Sequence, residues 1–507
     1  MDIARGSLDR LGSSLGRTEK GQSRDLLTPL AKREGRQQVT SDLVEIATRI
    51  VDPRLVQLEE DEAKKVGPLS IMLPWSQRRS TLRPYWEEPQ WGPDSQSLTT
   101  ATERVLSLAQ QSLRPLTFEN ATEKLPSNTA LGLPLVTSDK QAIPEYLERA
   151  RNIRSPHDIY PSICYWRGQA RGPDLVPQQR VVFGFDHAET IASGRFLHPM
   201  IEVLKQNPIF SAWVGPDEVD TQVYTFLSPF VRDNPGSIYL SVDFSGFDTS
   251  VSRQSIHIAF NVIRKFYPQD AATLDVIEEV FATSGIATPD GWHYGRTSAV
   301  PSGSALTNLV DCLVNILVLE YSSAKRGKDI RYLVQGDDSL VAGLLTAEEL
   351  SEDAKELGME VGEEKSSMSD IQANYLRKLY LFDNGMEHGI ASIARRGSSL
   401  SGYERIRSGW SKWMESMRNI MLLEVCVHHP RFAEYVKYMF DGDEVLRSTD
   451  PGEVASRAGG TQLIEEKLGI ESFRGSGRRV ADLENFASVR LLRLLQSGVE
   501  ITREVSR

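Results

Sequence analysis

The sequence is poor in cysteine and histidine, with three cysteines and eight histidines in 507 residues. Cys164, Cys312 and Cys426 stand far apart with no Cys-x-x-Cys spacing. That argues against a disulfide framework or a cysteine-built zinc module and fits a reducing compartment. Excess positive charge is also missing: 58 lysines and arginines face 69 aspartates and glutamates, a net −11. A coat of nucleic acid is therefore not expected, although basic residues could be confined to a channel. No apolar run approaches the length of a bilayer span. The opening stretch MDIARGSLDRLGSSLGRTEKGQSRDLL has no continuous apolar core, so no secretory signal is read there. Internal repeats and low-complexity tracts are absent. The expectation is a soluble protein, intracellular or packaged in a particle.

What is present is ordinary globular composition, 40% hydrophobic and 25% charged. The length suits about three structural units. Residues 1–60 are polar, with a helical pattern near SDLVEIATRIV, which starts at Ser41. Proline and arginine punctuate the next zone. Its last stretch, 148–184, spaces Arg149, Arg151, Arg154, Arg167, Arg171 and Arg180 among aromatic and turn residues. From about 396 the chain reads as helical. WSKWMESMRNIMLLEV there carries apolar residues at three- and four-residue steps. A strand-rich block lies between, and three stretches in it carry the chemistry.

In SIYLSVDFSGFDTSVS (237–252), Ile238, Leu240 and Val242 alternate with polar partners. That period of two predicts a strand ending at Asp243. Asp248, with Thr249 and Ser250, resembles a capped helix start. In PSGSALTNLVDCLVNILVLEY (301–321), a loop at Pro301–Gly303 precedes a helix. Its apolar stripe is Leu306, Leu309, Val310, Leu313 and Leu317, with Thr307, Asn308, Asp311 and Asn315 on the other side. So apolar a helix should be buried, and its polar residues then need partners: a ligand with hydroxyls or a core network. In LVQGDDSLVAG (333–343), two adjacent carboxylates sit at a predicted hairpin tip. Gly-Asp-Asp alone arises by chance in roughly one chain in ten of this length. Its setting between strands makes it informative. Side chains alternate along a strand, so Asp337 is the expected metal ligand and Asp338 its helper.

Asp-x4-Asp after a strand, Ser-Gly-x3-Thr before a helix and Gly-Asp-Asp in a hairpin, in that order, resemble motifs A, B and C of viral RNA-dependent RNA polymerases. AKELGMEVGEEKSSM (354–368) is similar to motif D, NYLRKLYLFDNG (374–385) to motif E, and RGQARGPDLVPQQRVVFG (167–184) to motif F. The nearest likeness is to the picobirnavirus and partitivirus group of double-stranded RNA viruses. It covers roughly 150–395.

The resemblance implies an α+β right-hand fold with an antiparallel palm sheet on helices. An N-terminal segment (1–60) and fingertips would enclose it. Fingers would occupy 61–190, palm 191–395 with a fingers insertion around 255–300, and thumb 396–507. It implies an RNA-directed RNA polymerase that uses NTPs and Mg²⁺, with Mn²⁺ as a substitute, to replicate and transcribe a viral genome. Two such ions about 4 Å apart activate the 3′-hydroxyl and hold the pyrophosphate. Asp243 and Asp337 would ligate them with Asp338 secondary, and Lys365 would protonate the leaving pyrophosphate. Arg167, Arg171 and Arg180 would bind the triphosphate. Asp248, Ser302, Gly303, Thr307, and Asn308 or Asp311 would form the sugar-reading pocket. Two carboxylates in contact repel unless one is protonated or a donor intervenes, which favours Asn308 as the partner of Asp248. RNA template, product and capsid protein are the implied partners. No membrane is implied, the state is a monomer, and the place is the particle interior or host cytoplasm.

A reverse transcriptase is the alternative enzyme. It would carry an aromatic-x-Asp-Asp hairpin and lack Asp248 with Ser-Gly-x3-Thr. A catalytically silent RNA-binding structural protein is the alternative outside enzymes. EVCVHHP (424–430) gathers Cys426, His428 and His429 but shows no partners for a four-ligand zinc site. LEEDEAKK (58–65) reads as a solvated helix face, and Trp166, Trp213 and Trp410 as core.

Overall fold

The computed structural model describes residues 3–125, 130–171, 174–362, 366–406, 409–460, 464 and 480–500. The first strands are β1 (Val66–Pro68), β2 (Ser162–Arg171), β3 (Val176–Gly184), β4 (Ile238–Val242), β5 (Ile286–Thr288) and β6 (Gly291–His293). After them come β7 (Ile330–Gln335), β8 (Asp338–Gly343), β9 (Ser367–Ser369), β10 (Gln372–Tyr375), β11 (Lys378–Leu381) and β12 (Ile390–Ala391).

The palm is an antiparallel sheet in the order β7-β8-β4-β9. Its strands are apolar on both faces because both faces are covered. Leu240, Val242, Val334 and Val341 point into the main core, under helices Arg253–Phe266 and Thr307–Arg326. Tyr239, Leu333, Leu340 and Ala342 point the other way, into a core shared with Ala373, Tyr375 and Tyr380 of the β10-β11-β12 sheet. The Thr307–Arg326 helix is buried from Leu309 to Leu319, so its polar side is interior too.

The fingers hold a second sheet, in which β2 and β3 form a long hairpin over nine paired residues. β5 runs parallel to Ser162 and Ile163 of β2, so 286–293 joins the sheet of β2 and β3. Helix Arg253–Phe266, from the same expected insertion, packs into the main core with Leu240 and Val242.

The thumb core is built from helices Lys412–Glu424, Phe432–Gly442 and Ala487–Gln496. Val39, Leu43 and Ala47 of the N-terminal helix Arg36–Thr48 enter that core. Leu11 of helix Arg5–Lys20 packs instead with Leu133, Ile163 and Ala287 of the fingers. The N-terminal segment therefore bridges fingers to thumb. Direct contacts close the ring: Gly168 N donates to Glu404 Oε1 at 3.0 Å, and Arg405 Nη2 to the Trp166 carbonyl at 2.7 Å.

The reading of 58–65 as solvated needs correction at Glu59, which is fully buried. It lies four residues from buried Leu55 on helix Pro53–Glu62, on the same face one turn further along. Its carboxylate accepts from Ser392 Oγ (2.7 Å), Ile393 N (3.2 Å) and Ala394 N (2.7 Å), and His429 Nε2 lies 3.0 Å away. Three converging donors make burial of this charge tolerable. Trp166, Trp213 and Trp410 are half-buried.

Candidate active site

β4 ends at Val242, and Asp243 follows at its tip. β7 and β8 are joined by the two-residue turn Gly336-Asp337, with Gln335 paired to Asp338. Gly336 has φ 61°, a left-handed conformation that selects glycine, and a Cβ there would stand 3.2 Å from Asn308 Nδ2. Val242 pairs with Ser339 across the β4–β8 ladder. One step further along that register sets Asp243 opposite Asp338.

Three carboxylates thus converge from two neighbouring strands. Asp338 reaches solvent, yet the crowding protein, then the charges of Asp337 and Asp243, push its carboxyl up to about 7, while Arg377 and Arg395 pull it down. Asp248 sits one turn to the side. Burial and the Asp337 charge push it up to about 6 against the pull of Arg180. It does not cap the following helix. It lies within the single turn Phe247–Ser250, and Ser252 caps helix Arg253–Phe266 by accepting from Ser255 N.

The Thr307–Arg326 helix lies beneath the hairpin and grips it. Asn315 Nδ2 donates to the carbonyls of Gly336 (3.1 Å) and Asp337 (3.0 Å). Gly336 N points at Cys312 Sγ, 3.0 Å away. Neither residue is among the expected site residues. The signal was a buried polar stripe, and its partner turns out to be the backbone of the turn. Asp311, one helical turn before Asn315, is buried, and its Oδ1 has no hydrogen-bond partner among the described residues. Burial, then the charges of Asp248 and Asp337, hold its carboxyl well above the usual range.

Ser302 Oγ donates to the Val181 carbonyl at 3.2 Å, seating the loop before the helix on β3. A Cβ on Gly303 would lie 1.7 Å from the Phe183 carbonyl oxygen, so only glycine allows this seat. Thr307 Oγ1 donates to the Pro301 carbonyl at 2.7 Å. Asn308 is turned toward the hairpin, and its Oδ1 accepts from Trp213 Nε1 at 2.9 Å. The group on which the charges of Asp248 and Asp337 bear is Asp311.

Arg167 and Arg180 are directly opposed on the β2–β3 hairpin. Like charges so placed repel in the absence of an anion. Arg180 faces Asp248, while Arg167 also meets Glu404 at 3.6 Å. Arg171 is four residues along the same strand, about 13 Å away. Lys365 lies outside the described residues. Arg377 and Arg395, which face Asp338, were not among the expected site residues, although Arg377 lies in the stretch similar to motif E. Arg377 occupies a left-handed turn position at φ 65°, and Arg395 comes from a distant loop.

The profile of the viral RNA-dependent RNA polymerase family matches residues 71–382. The chain belongs to that family. A human picobirnavirus protein (strain Human/Thailand/Hy005102/-), titled "Potential RNA-dependent RNA polymerase", is 25% identical over 484 residues, 87% of this chain and 88% of its own length. The RNA-directed RNA polymerase of Cryptosporidium parvum virus 1 (strain KSU-1) is 29% identical over 139 residues, 25% of this chain and 26% of that protein. The crystal structure of a human picobirnavirus RNA-dependent RNA polymerase superposes with a TM-score of 0.81 at 22% identity, over 97% of this chain and 99% of the other. The right-hand fold and the family of this polymerase are thereby shown. No described helix is long and apolar enough to cross a membrane.

Proposed function

We propose that this polymerase copies single-stranded RNA from NTPs with Mg²⁺, or Mn²⁺ in its place, held by Asp243, Asp337 and Asp338. The observation that carries this is the convergence of the three carboxylates, Asp338 being raised by burial and then by the charges of Asp337 and Asp243. Like charges this close call for a cation or a proton between them. All-oxygen ligands on a partly open site suit Mg²⁺. Bound cations would supply the charge that activates the 3′-hydroxyl and steadies the pyrophosphate.

The protein's own groups do the rest. Asn315 and Cys312 fix the turn, so Asp337 need not be ordered when substrate arrives. Arg180, with Arg167 opposite, offers forked donors to the triphosphate, relieving the repulsion between the two guanidinium groups. Asp248 accepts a hydrogen bond from the sugar hydroxyl. Ser302 and Thr307 have committed their protons to carbonyls, which leaves their oxygens as acceptors. Asp311, kept protonated by burial and its neighbours, can donate to Asp248 where an amide was expected. Arg171 would meet phosphate further along the hairpin, and Lys365 is assigned proton delivery by likeness to motif D. The likeness to picobirnaviruses supports work on a double-stranded RNA genome; a monomer beside capsid protein inside the particle is part of the same proposal.

The test is incorporation of labelled NTPs against dNTPs on a single-stranded RNA template with Mg²⁺. Template-length RNA is expected, with dNTPs used at least about a hundredfold less well. Equal use of dNTPs would favour a reverse transcriptase. RNA binding without turnover would favour a structural role.

A further inference from the structure

A second cluster of ligating groups lies away from the catalytic carboxylates, where palm meets thumb. Asp220 comes from helix Pro216–Gln222, His388 from the β11–β12 loop, and His428 from the connection after helix Lys412–Glu424. One ligand atom from each lies within 4.8 Å of the others. The two imidazoles are parallel, 4.1 Å apart with 3° between planes. This places His428 of EVCVHHP with partners about 40 and 208 residues distant, which no local spacing could reveal. Its neighbours do different work: Cys426 Sγ points at the Ser392 carbonyl, and His429 faces Glu59.

We propose that Asp220, His388 and His428 form a site for a transition-metal dication, zinc by its ligand types, that fastens the thumb to the palm. Two imidazoles with one carboxylate match zinc and disfavour Mg²⁺, which wants oxygen alone. The hydrogen bonding leaves the needed position open. Oδ1 of Asp220 accepts from Lys378 Nζ (2.9 Å) and Tyr380 Oη (2.8 Å), filling both lone pairs. Oδ2 accepts only from Lys378 (3.0 Å) among the described residues, and it is the oxygen 3.9 Å from His388 Nδ1. Lys378 opposes a dication, but Asp217, one turn before Asp220, adds a second carboxylate charge near His428. His388 is exposed, so an ion can enter and keep water as its remaining ligands.

The test titrates zinc chloride into chelator-stripped full-length protein by calorimetry, with excess Mg²⁺ present to occupy the catalytic carboxylates. About one equivalent should bind, and the melting temperature should rise. His388→Ala, at an exposed position, should remove both effects, as should His428→Ala. Zinc-edge anomalous scattering should place the ion among the three residues. Asp337→Asn should bind zinc as wild type does. Absence of zinc binding in wild type, or binding unchanged in both histidine variants, would overturn the proposal. Should His428→Ala fail to fold, His388→Ala alone decides it.

Discussion

Glu59 and Asp311 are both buried carboxyl groups, and they are opposites. Glu59 meets two backbone N–H groups, a hydroxyl and an imidazole, each within 3.2 Å. Asp311 has a buried oxygen with no hydrogen-bond partner among the described residues, and the charges of Asp248 and Asp337 oppose its ionisation. One is built to hold the N-terminal segment on the body of the protein. The other sits in a cluster arranged against its own stability, as sites that await a ligand are. Local satisfaction, more than burial, separates the structural acid from those proposed to be functional.

That contrast can be broken by substitution. Asp337→Asn should cut NTP incorporation at least about a hundredfold without lowering the melting temperature. A parallel loss of stability would instead make Asp337 a structural residue. Glu59→Ala should do the reverse, costing about 3 kcal/mol of stability in thermal or denaturant melts, because buried donors lose their acceptor. Asn315→Ala removes two hydrogen bonds to the turn, and about a tenfold fall in kcat with KM for NTP little changed would show that it positions Asp337. Asp311→Asn should stay within about threefold of wild type if Asp311 works as a neutral donor.

The smallest effect concerns pH. Asp248 and Asp338 titrate near 6 and 7 in the folded protein, above the ordinary carboxyl value of 3.8. The folded state then binds more protons than the unfolded one between about pH 4 and 7. In metal-free buffer this cluster therefore lowers stability as pH rises through that window. Asp338→Asn should melt slightly above wild type at pH 8 and equal to it at pH 4, and divalent cations should narrow the gap at pH 8.

Much of the site was legible because its parts are local. The alternation in 238–242 located Asp243, and Gly-Asp-Asp between apolar runs located the hairpin. The polar stripe on 307–315 announced buried partners but could not say which. Asn315 answers to the hairpin backbone, and Asn308 to Trp213, 95 residues earlier. Glu59 was misread because its donors lie 333 to 335 residues away. Arg395 and the Asp220–His388–His428 cluster were out of reach for the same reason: they are assembled by packing of segments distant in sequence, and no short stretch carries their pattern.

The most direct test measures single-turnover incorporation of one labelled NTP on a primed RNA template, across a Mg²⁺ titration, for wild type and Asp337→Asn of matched melting temperature. The account predicts that the variant is slower by at least about a hundredfold at every Mg²⁺ concentration. Equal rates in the two proteins would show that the carboxylates at the hairpin tip form a turn and do not carry the chemistry.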